Sequence, residues 1–218
     1  MMHFTDVTGL AGVSLAIIAI IFRLRFLARL QLLAKIGLAI GLLILVGVPL
    51  EGLSAAEYVR GITGDFSVTT LVLLVLVLFL PRPISGGRAN MGAETLLYHR
   101  ANLRPSRPPA RGKLLMLIVV ASLVLYPCAL GFGTFDPYRL GFGNLWFIAV
   151  LLLIAVFAWF EQYTLIAMSI ALAVLAWSIG WYESNNLWNY LIDPWVSIYA
   201  LISLVRKSFG RTYRPISH

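Results

Sequence analysis

Residues 145–182 read LWFIAVLLLIAVFAWFEQYTLIAMSIALAVLAWSIGWY, and Glu161 is the one Asp, Glu, Lys or Arg among them. A helical membrane span takes about 20 mostly apolar residues, with a range of roughly 17–25. The apolar residues here form continuous runs and do not alternate with polar ones, which excludes the strands of a membrane barrel. The stretch therefore predicts two helical spans, 144–160 and 163–182, folded against each other across a tight turn at Glu161–Gln162.

The same criterion applied outward finds runs at 7–22, 36–50, 66–81, 114–132 and 187–205, about seven spans in all. The chain of 218 residues is 60% hydrophobic and only 12% charged, with mean hydropathy +0.89. A water-soluble domain has too few charges at that composition to cover its apolar surface. The expected fold class is all-α, a polytopic membrane bundle occupying residues 1–218 as one domain. The last span is irregular. Asp193 followed by Pro194 reads as an N-cap and first helical residue. A helix starting there has only Trp195–Val205 as apolar core, about 17 Å at 1.5 Å per residue, against a hydrocarbon thickness of about 30 Å. Either 187–192 continues the span through a bend or the segment is re-entrant, and the basic tail favours a full crossing.

The basic residues fix an orientation. Of the 17 Lys and Arg, all but Arg60 and Arg139 fall in three segments: 23–35 (Arg23, Arg25, Arg29, Lys35), 82–113 (Arg82, Arg88, Arg100, Arg104, Arg107, Arg111, Lys113) and 206–214 (Arg206, Lys207, Arg211, Arg214). Positive charge flanking membrane spans is retained on the cytoplasmic side. Seven spans then place the N-terminus outside, with the basic loop 82–113 and the tail 206–218 cytoplasmic. Asp6, Glu51, Glu57, Asp65, Asp136, Glu183 and Asp193 fall outside; Glu94 and Glu161 do not. The net charge of +8 is an attraction to anionic lipid headgroups at the cytoplasmic face. No nucleic-acid partner is expected, because the cations flank apolar runs and form no stripe with interleaved aromatics.

The first apolar run lacks a preceding basic segment, as an uncleaved span would and a signal peptide would not. Cys128, the lone cysteine, excludes an intrachain disulfide and a cysteine metal cluster. HExxH, GxSxG and Walker A patterns are absent, and His3, His99 and His218 lie outside the spans, so no cofactor or metal site is expected. Trp159, Tyr163, Trp181, Tyr182 and Trp188 fall near predicted interfaces, as an aromatic belt does. Gly12 with Ala16, Gly37 with Gly41 and Ala167 with Ala171 have the spacing that lets helices approach closely. Residues 24–34 read as an interfacial segment and Ala93–Leu103 as a short helix. Pro105–Pro108 has the PxxP spacing of a module ligand, a pattern too short to carry weight.

The candidate site is the outer face. Asp6, Asp65, Asp136 and Asp193 each precede a helix running inward, where capping alone explains an aspartate. Taken together, parallel helices would bring Asp65, Asp136, Glu183 and Asp193 to one face as candidate catalytic carboxylates. Arg60 and Arg139, disfavoured on that side by the charge rule, are candidate headgroup ligands, since guanidinium pairs with phosphate through two bonds. The segment from Gly131 to Gly143 repeats Gly-Phe-Gly and reads as an ordered loop, with no strand before it to make a phosphate cradle.

Three functions follow as expectations. The leading one is a non-catalytic accessory or partner-binding subunit of a membrane complex, associating with another membrane protein or with itself. The alternative is an enzyme acting at the outer face on a lipid-linked substrate with a phosphate or glycan headgroup. The third is a lipid or small-molecule carrier. Short loops point to a bacterial inner membrane.

Overall fold

The stretch 145–182 folds into a helical hairpin. The computed structural model describes residues 4–22, 27, 32–50, 53–79 and 109–212. The basic segment 82–108, the arginines at 23, 25 and 29, Glu51, Glu94, the helix expected at 93–103 and the tail from 213 lie outside the described residues. The described chain is mainly helical: α1 Phe4–Ile21, α2 Leu32–Gly47, α3 Ala55–Thr63, α4 Val68–Phe79, α5 Pro109–Ala129, α6 Leu145–Phe160, α7 Thr164–Ser178, α8 Trp188–Leu191 and α9 Pro194–Thr212. A 3-10 helix covers Pro137–Gly141, and two-residue strands, β1 Pro49–Leu50 and β2 Leu53–Ser54, form a small antiparallel hairpin.

The α6–α7 turn is a Schellman motif. The Tyr163 N–H donates to the Ala158 carbonyl and the Gln162 N–H to that of Trp159, with Gln162 in the left-handed region at φ 63°. The same two bonds end α7, from Trp181 to Ala176 and from Gly180 to Trp177, there with glycine at φ 64°. Across the hairpin α6 turns Leu151, Ala155 and Ala158 inward, and α7 buries Ala167, Ile170 and Ala173. Small side chains at that spacing let two backbones approach closely.

The α6–α7 hairpin, α4, α5, α8 and α9 share one apolar core that includes Leu73, Ile118, Leu187, Tyr190 and Ala200. A second, smaller core joins Val13 of α1, Val46 of α2 and Ala56 of α3. Between α5 and α9 the Ser122 and Ser197 hydroxyls are 2.7 Å apart, an interhelical hydrogen bond amid apolar neighbours.

α9 resolves the irregular last run. It starts at Pro194 and continues through Arg206 and Lys207 to Thr212, so its 19 residues rise about 28 Å. Residues 187–192 do not extend it: they form α8 and an extended Ile192. By length and composition, one helix among the described residues, Arg111–Ala129, is long and apolar enough to cross a membrane. The apolar helices Thr5–Ile21, Ile36–Gly47, Leu145–Phe160 and Thr164–Ser178 are shorter than that criterion.

The outward surface is apolar. On α6, Leu145, Trp146, Leu153, Phe157, Trp159 and Phe160 are exposed, Trp146 to 83%. On α9, Trp195, Ile198, Leu201, Ile202 and Val205 are exposed as well. Tyr182, expected in an aromatic belt, is instead core: it is 4% exposed, stacks on Tyr190 and donates its hydroxyl to the Phe66 carbonyl.

Candidate functional site

Five of the sequence-selected acids sit at one end of the bundle, and the contacts there tie α1, α3, α4, α9 and the 179–187 loop together. The Thr8 hydroxyl donates to the Trp181 carbonyl and the Tyr182 hydroxyl to that of Phe66. This end carries the N-termini of α1, α4 and α9. The opposite end carries the α6–α7 turn, where the Lys113 ammonium meets the Tyr163 hydroxyl, and Lys207 lies against Gly112.

Arg60, in the last turn of α3, is the hub of the acidic end. Its Nε donates to Asp65 Oδ1 at 2.7 Å and a terminal nitrogen reaches Asp65 Oδ2 at 3.3 Å, a two-bond clasp. Its other terminal nitrogen donates to Asp6 Oδ1 at 3.1 Å, and the nitrogen that reaches Asp65 Oδ2 lies 4.0 Å from Glu183 Oε1. The Arg60 side chain is only 18% exposed. The bond to Asp65 and then that to Asp6 hold its pKa above the ordinary guanidinium value, against the opposing effect of burial. Gly9 of α1 makes the cluster possible. A Cβ there would stand 2.3 Å from Asp65 Oδ1 and 2.6 Å from Arg60 Nε, inside the volume the ion pair occupies.

Asp193 is separate and is fully engaged. It is 5% exposed. Its Oδ1 accepts from the Val196 N–H at 2.8 Å, which caps α9 as its sequence position implies. Its Oδ2 accepts from the Ser67 N–H at 2.8 Å and from the Thr70 hydroxyl. One carboxylate thus joins the starts of α4 and α9. Asp65, expected to cap α4, does not: Ser67 Oγ accepts from the Thr70 N–H and takes that role, leaving Asp65 to Arg60.

Asp136 caps the 3-10 helix, accepting from the Tyr138 N–H at 2.9 Å, with Pro137 next to it. Arg139 is exposed on that helix and forms no ion pair among the described residues. The 3-10 helix is held by Asn186, which sequence reasoning passed over. Asn186 is fully buried, donates to the Tyr138 carbonyl at 3.0 Å and accepts from the Trp188 N–H at 3.0 Å. A buried asparagine with its amide satisfied is legible in a sequence only through the turn residues around it, Ser184 and Asn185.

Glu57 closes a capping box with Ser54 at the start of α3. Bonds from the Ser54 backbone N–H and hydroxyl hold its pKa below the usual carboxylate value. The acids of this end are therefore divided among a cap at each of three helix starts and one arginine cluster, with Glu183, 66% exposed, the least engaged. Among the described residues no group of three His, Cys, Asp or Glu side chains is placed to hold a metal ion.

A groove of about 740 Å³ runs between α5, α6 and α7, lined almost wholly by apolar side chains such as Leu117, Val120, Val150 and Ile170, with Lys113 at one end. A second, of about 350 Å³, lies between α1, α4 and α9 with Arg111 and Tyr199 at its edge. Compared with protein-family models, curated proteins and solved structures, the chain matches none.

Proposed function

We propose that this chain is a multi-pass protein of a bacterial inner membrane, with about seven spans, its acidic end outside and its basic end cytoplasmic, serving as a non-catalytic subunit that binds a membrane partner. The observation that carries it is the outer face of α6, where Leu145, Trp146, Leu153, Phe157 and Phe160 stand exposed on a helix without one ionisable group. Such a face is stable in hydrocarbon or against another apolar surface, and in water it drives association. Aromatics at both ends of α6 fit two interfaces, and the serine pair of α5 and α9 fits helix packing in lipid. Helices of 15–18 residues rise about 22–27 Å, which a locally thinned bilayer accommodates. The non-catalytic part draws on the acidic end, where Asp65, Asp136 and Asp193 are each bonded to the protein itself.

Detergent-free extraction into lipid discs followed by native mass spectrometry tests this. The expected result is a second chain, foreign or a further copy, at fixed stoichiometry; a solitary chain under every extraction condition contradicts it.

A second reading, an enzyme acting on a lipid-linked phosphate or glycan, is favoured by Glu183, whose exposed carboxylate stands beside the Arg60–Asp65 pair. It predicts that Glu183→Gln leaves the protein folded and stops turnover. Unchanged levels of lipid-linked precursors in cells carrying E183Q would remove it.

A further inference from the structure

We propose that the groove between α5, α6 and α7 holds one acyl chain of an anionic phospholipid, with the headgroup on Lys113 and Tyr163. The proposal rests on the reading of the chain as a membrane protein and adds a defined lipid site to it.

Three observations carry it. The first is the shape of the groove. Its lining on α5 runs from Lys113 to Leu125, about 18 Å along the helix, which exceeds half of a hydrocarbon core of about 30 Å. A chain entering from one interface is therefore covered to beyond the midplane. The volume of about 740 Å³ is in the range of small-molecule sites.

The second is the placement of charge. The apolar lining ends at a single cation, Lys113, whose ammonium sits 4.0 Å from the centre of the Tyr163 ring and meets the Tyr163 hydroxyl. Among the described residues Lys113 pairs with no carboxylate. Lys113 both lines the groove and is exposed, beside a phenol able to donate to a phosphate oxygen.

The third is the surroundings. Lys207 lies against Gly112, 3.4 Å from where a Cβ would stand, so a second cation borders the same end. This end faces the cytoplasm in the proposed orientation, the leaflet surface where anionic lipids attract basic side chains. A zwitterionic lipid would fill the groove equally well but would gain little from two ammonium groups. A free phosphate would meet the cations and leave the groove unfilled.

The test uses the full chain in discs of phosphatidylcholine and phosphatidylglycerol in equal parts, with bound lipids counted by native mass spectrometry as the disc is stripped. The expected result is one phosphatidylglycerol retained in preference to phosphatidylcholine. Lys113→Gln lowers that preference about fivefold, the effect of one cation near a lipid surface. Arg206→Gln, which removes a cation of the same end outside the groove, leaves it unchanged. Leu117→Trp, at a groove position 41% exposed and so open to a larger side chain, lowers retention of both lipids. Equal retention of the two lipids, or equal loss in K113Q and R206Q, overturns the site. A chain that integrates into discs without lipid preference defeats this inference alone. A chain that stays in the aqueous fraction and enters no disc defeats the membrane reading as well.

Discussion

Gly9 and Asp193 are the residues on which the acidic end depends. A methyl at Gly9 has to displace the Arg60–Asp65 pair, because both partners stand well inside contact distance of it. Overpacking of this kind costs about 1–3 kcal/mol. Gly9→Ala should lower the unfolding midpoint in a denaturing-detergent titration, and most of the loss should vanish in an Arg60→Ala background, where one clashing side chain is gone and Asp65, no longer clasped, is free to rotate away. Equal losses in both backgrounds would mean that Gly9 matters for another reason. Asp193→Ala strips acceptors from two backbone N–H groups and one hydroxyl at a buried site. Loss of a cap together with unpaired buried donors predicts destabilisation of about 3 kcal/mol, with Asp193→Asn intermediate, measured in the same titration. The role of Asp193 as a helix start was legible in Asp-Pro, since that pair has one common local use. Its bonds to Ser67 and Thr70 were not, because nothing in a sequence reports which helix start lies beside another. The same gap explains Asp65. Its position before an apolar run suits a cap, but Ser67 stands nearer the helix and Arg60 competes for the carboxylate.

At the level of elements, the two Schellman turns offer a matched pair. Gly180 adopts its left-handed conformation without strain, whereas Gln162 holds a similar φ with a side chain, at a cost of about 1 kcal/mol or more. Gln162→Gly should therefore raise the unfolding midpoint, an unusual direction for a glycine substitution; a lowered midpoint would show that the Gln162 side chain contributes more than its backbone costs. Helix α3 carries a pH dependence. Glu57 has a folded pKa below the unfolded value of 4.5, so its contribution to the capping box is present above that value and is lost as pH falls through the folded pKa. Amide protection at the start of α3, measured relative to the intrinsic exchange rate at each pH, should fall over that acidic window, and Glu57→Gln should remove this fall; an unchanged protection profile in E57Q would assign the effect elsewhere. The apolar runs showed where long helices lie because a continuous run has few alternatives. Amphipathic α3 lies between two apolar runs and gives no span signal, since nine residues with two charges resemble a connection until Ser54 and Glu57 are recognised as a cap. The last run failed in the opposite way: apolarity stops at Val205, but the hydrogen-bonded helix continues through Arg206 and Lys207, which have good helix propensity.

For the molecule as a whole, the account depends on a bundle with an acidic end and a basic end separated by an apolar surface. The gathering of the acids was legible in the order of charges along the chain, because alternating helices bring them to one end. Burial was not legible. A composition this apolar does not tell Tyr182, which is core, from Trp146, which is exposed. The grooves were also beyond a one-dimensional reading, since they form where helices fail to meet. The direct test of the arrangement is side-specific labelling. With Cys128 replaced by serine, single cysteines are placed at Gln162 in the α6–α7 turn and at Ser184 in the opposite loop. Both are challenged with a membrane-impermeant thiol reagent in sealed, oriented vesicles. The account predicts that the cysteine at 184 reacts from the outside and that the one at 162 reacts only after the vesicles are opened. Labelling of both positions from the same side would contradict it.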